Sequence, residues 1–250
     1  MTQQALTDLL KQLKLPTISK NYIDYAKDAE KTDQSYEQYL LSLLREEASS
    51  REKNRLNALI RRAKFPFIKT LSEYKFEQIP GLKIKSVHQL AECRYIESAH
   101  NICFLGQTGT GKTHLSIALG REACKKGYSV LFFSAAHLVN KLTEAKSELS
   151  LSRLQASLMK ANLVIIDELG YLPLSKEGSE LLFQFFSDRY EKGSVIVTSN
   201  LEFSDWTQFL GDHTMTSALL DRLTHHAEIF TLNGESYRFK QRQKKEGVHS

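Results

Sequence analysis

The first sixty-odd residues place apolar side chains at helical spacing. Leu6, Leu9, Leu10 and Leu13 recur at intervals of three and four, which predicts an amphipathic helix that Pro16 ends or restarts. A second helix is predicted from about Ser19 to Lys31, with Tyr22, Ile23 and Ala26 on one face. A third begins near Ser35, where Ser-Tyr-Glu-Gln resembles a capping box. It carries Tyr39, Leu40, Leu43 and Leu44 and runs on through Arg61, Arg62 and Lys64 until Pro66 breaks the pattern. From Phe65 to Gly81 the aromatic and proline residues predict a linker packed against the domain that follows.

From Asn101 onward the texture changes. NICFLG, YSVLFF, NLVIID and SVIVTSN are short apolar runs rich in β-branched or aromatic residues, separated by helical patterns. Continuous apolar strands between helices predict an α/β fold with a parallel sheet covered on both faces. The segment AEIFTLNGESYRF holds Asn233-Gly234 between two strand-like runs, a hairpin signal.

The 250 residues are 41% hydrophobic and 25% charged, near globular averages, so a disordered or fibrous chain is excluded. No apolar run reaches the roughly 18–20 residues of a membrane helix, and the N-terminus carries charge where a signal peptide is apolar. Three cysteines without metal-ligand spacing fit a reducing compartment, so a cytoplasmic protein without a membrane partner is expected. The net charge of +5 is unevenly spread. Residues 1–85 hold 16 Lys and Arg against 11 Asp and Glu, whereas residues 86–250 hold 18 of each. A basic module joined to a neutral one suits a polyanionic partner.

Gly106-Gln107-Thr108-Gly109-Thr110-Gly111-Lys112-Thr113 is a full GxxxxGK[ST] match, after a predicted strand and before a predicted helix. Glycines let backbone N–H groups wrap a phosphate, and the helix N-terminus adds its dipole. Lys112 is expected at the β- and γ-phosphates of ATP, and the Thr113 hydroxyl on Mg²⁺. Leu163-Val-Ile-Ile-Asp167-Glu168 follows: Asp167 at a strand end would hold Mg²⁺, and Glu168 would polarise the attacking water. Asn200, ending SVIVTSN, either orients that water or caps the next helix. Arg222 is either an arginine finger acting on a neighbouring subunit or a partner of Asp221 or Glu228; Arg189 is a weaker candidate for the same interface. His225-His226 is not read as a metal site, because adjacent helical histidines diverge and no third ligand is near in sequence. Cys103, inside a predicted strand, is read as core. For the adenine, the residues near Phe76–Leu90 are candidates by position.

Seven basic and three acidic residues fall within 45–65, with Arg51, Arg55 and Arg62 on one helical stripe and Arg61 beside it. The stripe is either a solvated face or a track for phosphates. The concentration of charge favours sequence-tolerant DNA binding, since no base-reading motif is visible.

GQTGTGKTHLSIALG, NLVIIDELGYLP, RYEKGSVIVTSN and ALLDRLTHH together resemble the IstB-type transposition helper proteins, AAA+ ATPases related to the DnaC and DnaI helicase loaders. The resemblance runs the length of the chain. It implies an ATP- and Mg²⁺-dependent ATPase that forms homo-oligomers on duplex DNA, deforms it, and recruits or stimulates a transposase. It implies a P-loop NTPase (AAA+) core over 86–250, a helical N-terminal DNA- or partner-binding domain over 1–65, and a linker over 66–85. By motif, Gly106 to Thr113, with His114 beside them, form the nucleotide-binding loop. Asp167 and Glu168 are Walker B, Asn200 is sensor 1, and Arg222 is the arginine finger. Only 28 residues follow Arg222, too few for the usual helical lid, so no full lid domain is expected. The rival readings are a DnaC-like replicative helicase loader, a small-molecule P-loop kinase, and a module that uses ATP only as a structural switch. The acidic pair placed for water activation opposes the last two.

Overall fold

The computed structural model describes residues 2–79 and 82–234. In chain order the elements are α1 (Thr2–Gln12), α2 (Pro16–Lys31), α3 (Tyr36–Ala63), α4 (Ile84–Leu90), α5 (Arg94–Glu97), β1 (Asn101–Leu105), α6 (Lys112–Lys125) and β2 (Val130–Ser134). There follow α7 (Ala135–Ser147), α8 (Leu151–Met159), β3 (Leu163–Leu169), α9 (Lys176–Arg189), β4 (Ser194–Ser199), α10 (Thr207–Leu210), α11 (His213–Thr224) and β5 (Ala227–Thr231). Two compact units divide the chain, Met1–Ala58 and Leu59–Ser250.

The first unit is helical. Leu10, Ile18 and Leu43 are its buried centre, flanked by Leu15, Tyr22, Tyr25 and Tyr39. α2 begins at Pro16 rather than at Ser19, with the proline at its first position, where no N–H is needed. Leu15 gives it no side-chain cap. Instead Oε2 of Glu47, from α3, accepts the N–H of Thr17 at 2.8 Å and of Ile18 at 3.1 Å. This distant carboxylate replaces a helix cap, typically worth about 1 kcal/mol. Burial opposes the charge on Glu47, but the Arg51 guanidinium and those two N–H groups outweigh it and hold the carboxyl below the usual carboxylate range. α3 starts with the capping box the sequence predicts: Ser35 N–H donates to Gln38 Oε1, and Gln38 N–H to Ser35 Oγ.

In the second unit α3 ends at Ala63, fully buried, and Lys64 turns the chain with φ +57°. Two short 3-10 turns, Leu71–Glu73 and Phe76–Gln78, lie in the segment before α4. Among the described residues five strands form one all-parallel sheet in the order β2-β3-β4-β1-β5. Alternation along the strands covers both faces. Val164 and Ile166 face a core shared with Leu138, Leu142, Leu182, Phe185 and Trp206, whereas Ile165 points at Gly120 of α6. β5 pairs with β1 in parallel, so it is an edge strand added by a crossover. The expected hairpin partner after Asn233-Gly234 lies outside the described residues. Among the described residues no helix is long and apolar enough to cross a membrane.

In such a sheet the crevice beyond the strand C-termini, where the order reverses, is the natural ligand site. β1 and β4 are sequence-distant neighbours there, with β3 alongside.

Candidate nucleotide site

The loop from Gly106 to Gly111 leaves β1 and turns straight into α6. Gly106 has φ +129°, and a Cβ on it would sit 2.3 Å from the carbonyl oxygen of Leu232. That neighbour is backbone, fixed by its own N–H bond to Leu105 at 2.8 Å, so only glycine fits. Gly111, at φ +90°, precedes α6; a Cβ there would lie 2.7 Å from Cε2 of Tyr74. Tyr74 closes the back of the loop, its hydroxyl donating to the Thr110 carbonyl at 3.1 Å and its ring edge-on to His114. Burial pushes the Tyr74 phenol up, so it stays a donor. His114 Nε2 lies 2.8 Å from the Thr70 carbonyl, and burial holds its imidazole below the usual range. His114 therefore ties the segment before α4 to the phosphate-loop helix.

Lys112 is buried, and its ammonium donates to the carbonyls of Gly106 at 2.5 Å and Gln107 at 2.8 Å. Thr110 Oγ1 also donates to Gln107, bracing the loop from within. Thr113 Oγ1 lies 2.9 and 3.0 Å from the two carboxylate oxygens of Asp167. Hard oxygen donors converging from a helix N-terminus and a strand end suit a divalent cation such as Mg²⁺. Burial raises the pKa of Asp167; hydrogen bonds from Thr198 and Thr113, and the charge of Lys112, counter it.

Glu168 is placed by a β-bulge. β3 and β4 keep register to Ile166↔Val197, then resume at Leu169↔Ser199, so β3 carries one extra residue. The bulge puts Glu168 at φ +60°, a left-handed conformation that costs a non-glycine residue about 1–2 kcal/mol. The strain is held by β4: Thr198 Oγ1 accepts the Glu168 N–H at 2.9 Å and donates to Asp167 Oδ1 at 2.5 Å. Ser199 Oγ donates to the Leu169 carbonyl at 2.6 Å. Asp167 thus faces the interior, and the exposed Glu168 is re-aimed into the cleft.

That cleft, of about 330 Å³, is lined by Phe67, Lys69, Thr108, Gly109, Gly111, Lys112, Thr113, His114, Glu168, Tyr171, Thr198 and Asn200. Lys112, Glu168 and Asn200, predicted from three separate stretches, therefore meet in one place. Of the described residues in the segment before β1, Phe67 and Lys69 reach the cleft; none of the described residues within Phe76–Leu90 lines it. The motifs do not point to Thr198, Tyr171, Phe67 or Lys69. Thr198 does carry a signal: it lies two positions before Asn200 on one strand, hence on the same face. Phe67 and Lys69 carry none, because only the folded path of the chain brings them over the loop.

Arg222 does not line the cleft of its own chain. Its Nη1 donates to the Ala218 carbonyl at 2.8 Å and its guanidinium lies 5.0 Å from the Phe183 ring centroid, rather than on Asp221 or Glu228. Arg189 is no interface residue. It is 2% exposed and donates to the carbonyls of Leu158, Ala161, Asn162 and Ser194, tying α8, β3 and β4 together. Burial lowers its pKa to about 10. Of the basic candidates on α3, Arg51 is committed inside the first unit: Nε donates to Glu47 Oε1 at 2.8 Å and Nη2 to the Lys14 carbonyl. Arg55 is exposed in that unit, and Arg61 and Arg62 are exposed in the second. Cys103 is core, fully buried, like Cys93 and Cys124.

The family model described as IstB-like ATP binding protein matches residues 8–245. The chain is 39% identical over 236 residues to an ATP-binding protein of insertion sequence IS21 from Pseudomonas aeruginosa, covering 94% of this chain and 89% of that one. It is 37% identical over 235 residues to an ATP-binding protein of insertion sequence IS5376 from Geobacillus stearothermophilus, covering 94% of each. Among solved structures, the DnaC helicase loader superposes with a TM-score of 0.54 at 20% identity, covering 70% of this chain and 99% of that one, a likeness of fold. With the GxxxxGK[ST] loop, Glu168 and the strand-end Asn200 converging on one cleft of a parallel sheet, and relatives matched over nearly its whole length, the chain belongs to the IstB-like ATP binding protein family and is an ATPase.

Proposed function

We propose that this chain is an ATP-dependent DNA-binding ATPase of the cytoplasm that oligomerises on duplex DNA, deforms it, and recruits or stimulates the transposase of an insertion sequence. One observation carries the reading: the cleft collects Lys112, Glu168 and Asn200, while Arg222 sits outside it on α11. Phosphoryl transfer gains from a cation delivered to the γ-phosphate. An arginine that cannot serve its own cleft suits a neighbour's, which makes assembly a condition of turnover. The names of the relatives, ATP-binding proteins of insertion sequences, supply the setting.

Within the cleft, Lys112 leaves its carbonyl partners to bind the β- and γ-phosphates, and the glycine-opened N–H groups wrap them. Thr113 and Asp167 would hold Mg²⁺, which would supply neutralisation of phosphate charge. Glu168 takes the proton of the attacking water, and Asn200 orients that water. The exposed Arg55, Arg61 and Arg62 each contact phosphate, whereas Arg51 mainly secures Glu47 and α2. DNA deformation, of a few kcal/mol, is repaid by contacts spread over many subunits.

Thr198 is the positioning residue of this site. Thr198→Val keeps the side-chain shape but removes one of the two hydroxyl bonds to Asp167, leaving that of Thr113, and the acceptor of the Glu168 N–H. The lost hydrogen bond favours the ionised carboxylate, so its removal raises the Asp167 pKa further. Activity needs the carboxylate, so the acid limb of the ATPase pH profile moves to higher pH. A profile superimposable on that of the parent chain would show that the hydroxyl is idle.

Mass photometry with duplex and single-stranded DNA, each with and without ATP, tests the proposal. Large ATP-dependent assemblies on random-sequence duplex are expected. Replacing Arg61 and Arg62 by Ala should flatten the salt dependence of binding, by about 0.9 in log–log slope for each phosphate that is no longer neutralised. Assembly confined to single strands would replace the reading with a helicase loader, and no DNA binding at all would sink it.

A further inference from the structure

We infer that Glu191, His225 and His226 form a binding site for a divalent transition-metal ion of the zinc class, on the opposite edge of the sheet from the nucleotide cleft. The divergence expected of adjacent helical histidines does not apply, because α11 ends at Thr224. Beyond it the two imidazoles lie 4.0 Å apart, centroid to centroid. The third group comes from the turn between α9 and β4: Glu191 Oε1 is 3.9 Å from His226 Nε2. One potential ligand atom from each of the three lies within 4.8 Å of the others. Around zinc, with bonds of about 2.0 Å, tetrahedral ligand atoms stand about 3.3 Å apart. Exposed side chains can make that contraction by small χ adjustments, and water completes the coordination as in three-ligand zinc sites.

The backbones of all three are firmly held. His226 is locked to the start of β1 by the bond from Asn101 N–H to its carbonyl at 2.7 Å, and His100 stacks on its ring with planes 7° apart. The turn bearing Glu191 hangs on Arg189, whose guanidinium is bonded to four carbonyls and whose own carbonyl accepts the N–H groups of Lys192 and Gly193. Tyr190 Oη lies 2.7 Å from His225 Nδ1, the kind of outer contact that fixes a ligating imidazole and leaves its other nitrogen for the ion. The thiols do not compete: all three are buried, and burial pushes Cys93 and Cys124 up to about 11 and Cys103 to about 12. The nucleotide is remote, since β1, β4 and β5 all begin at this edge and end at the other.

The test is titration of the tag-free full-length chain with Co²⁺, without nucleotide or Mg²⁺, followed by visible absorption and by displacement with Zn²⁺. The Asp167→Asn background removes the other divalent site. One equivalent of Co²⁺ with four-coordinate d–d bands is expected, unchanged in His213→Ala and abolished in His225→Ala, His226→Ala and Glu191→Gln. Tyr190→Phe should weaken binding about tenfold. Glu191→Gln alters one exposed side chain, and retained ATPase activity of that variant with Asp167 intact shows that it folds. Absence of the bands in the parent chain, or their persistence in any of the three ligand variants, would overturn the site.

Discussion

Glu168→Gln is expected to lower ATP turnover by about 10²–10⁴-fold while leaving ATP binding intact. The bulge between Ile166 and Leu169 aims this side chain into the cleft, and the hydroxyl of Thr198 holds its N–H in place. Glutamine fits the same backbone, so geometry survives and only the proton acceptor is removed. Lys112, Thr113 and the loop glycines, proposed above to hold the triphosphate, are untouched. Single-turnover hydrolysis together with the affinity for a fluorescent ATP analogue separates the two quantities. A rate within tenfold of the parent chain would mean that another group activates the water.

Arg222→Ala is expected to lower turnover by about 10³-fold or more, the scale of an arginine finger. ATP binding by the isolated chain should not change, because Arg222 does not line its own cleft. The local cost is small: one bond to the Ala218 carbonyl and a stacking contact with Phe183. Mixing provides the decisive readout. The Arg222→Ala chain keeps an intact cleft, and the Glu168→Gln chain keeps an intact finger. A mixture should regain part of the activity that neither has alone, through interfaces that pair the good halves. Failure of the mixture to exceed the sum of its parts would place Arg222 outside the reaction. Full activity of Arg222→Ala with DNA would do the same.

Much of the site is legible in the chain itself. Gly106 to Thr113 and Asp167-Glu168 are contiguous motifs whose function depends on backbone shape at a strand end, and local sequence encodes local shape. The parallel sheet follows from uninterrupted apolar strands alternating with helical segments, since a strand covered on both faces cannot carry a polar side. The capping box at Ser35 lies within four residues, and it forms as predicted. The start of α2 falls three residues earlier than its local pattern suggests, because its cap is a carboxylate some thirty positions away.

Arg189 and Arg51 show the other limit. Each is a basic residue in a polar-looking stretch, and each reads from sequence as a surface charge. Folding turns Arg189 into a buried clasp for carbonyls and gives Arg51 to Glu47. The same holds for His225 and His226, whose third companion, Glu191, arrives only because α9 and α11 end side by side at one edge of the sheet.

The sequence by itself determined the class of sheet, the phosphate loop and the acidic pair, because each depends on residues within a few positions of one another. Only the tertiary structure decided that Thr198 braces Asp167 and Glu168, that Phe67 and Lys69 wall the cleft, that Glu168 sits on a bulge and that Arg222 stands outside that cleft. Those relations are set by strand order and register, which join residues tens of positions apart, and no local pattern encodes a distance across a sheet.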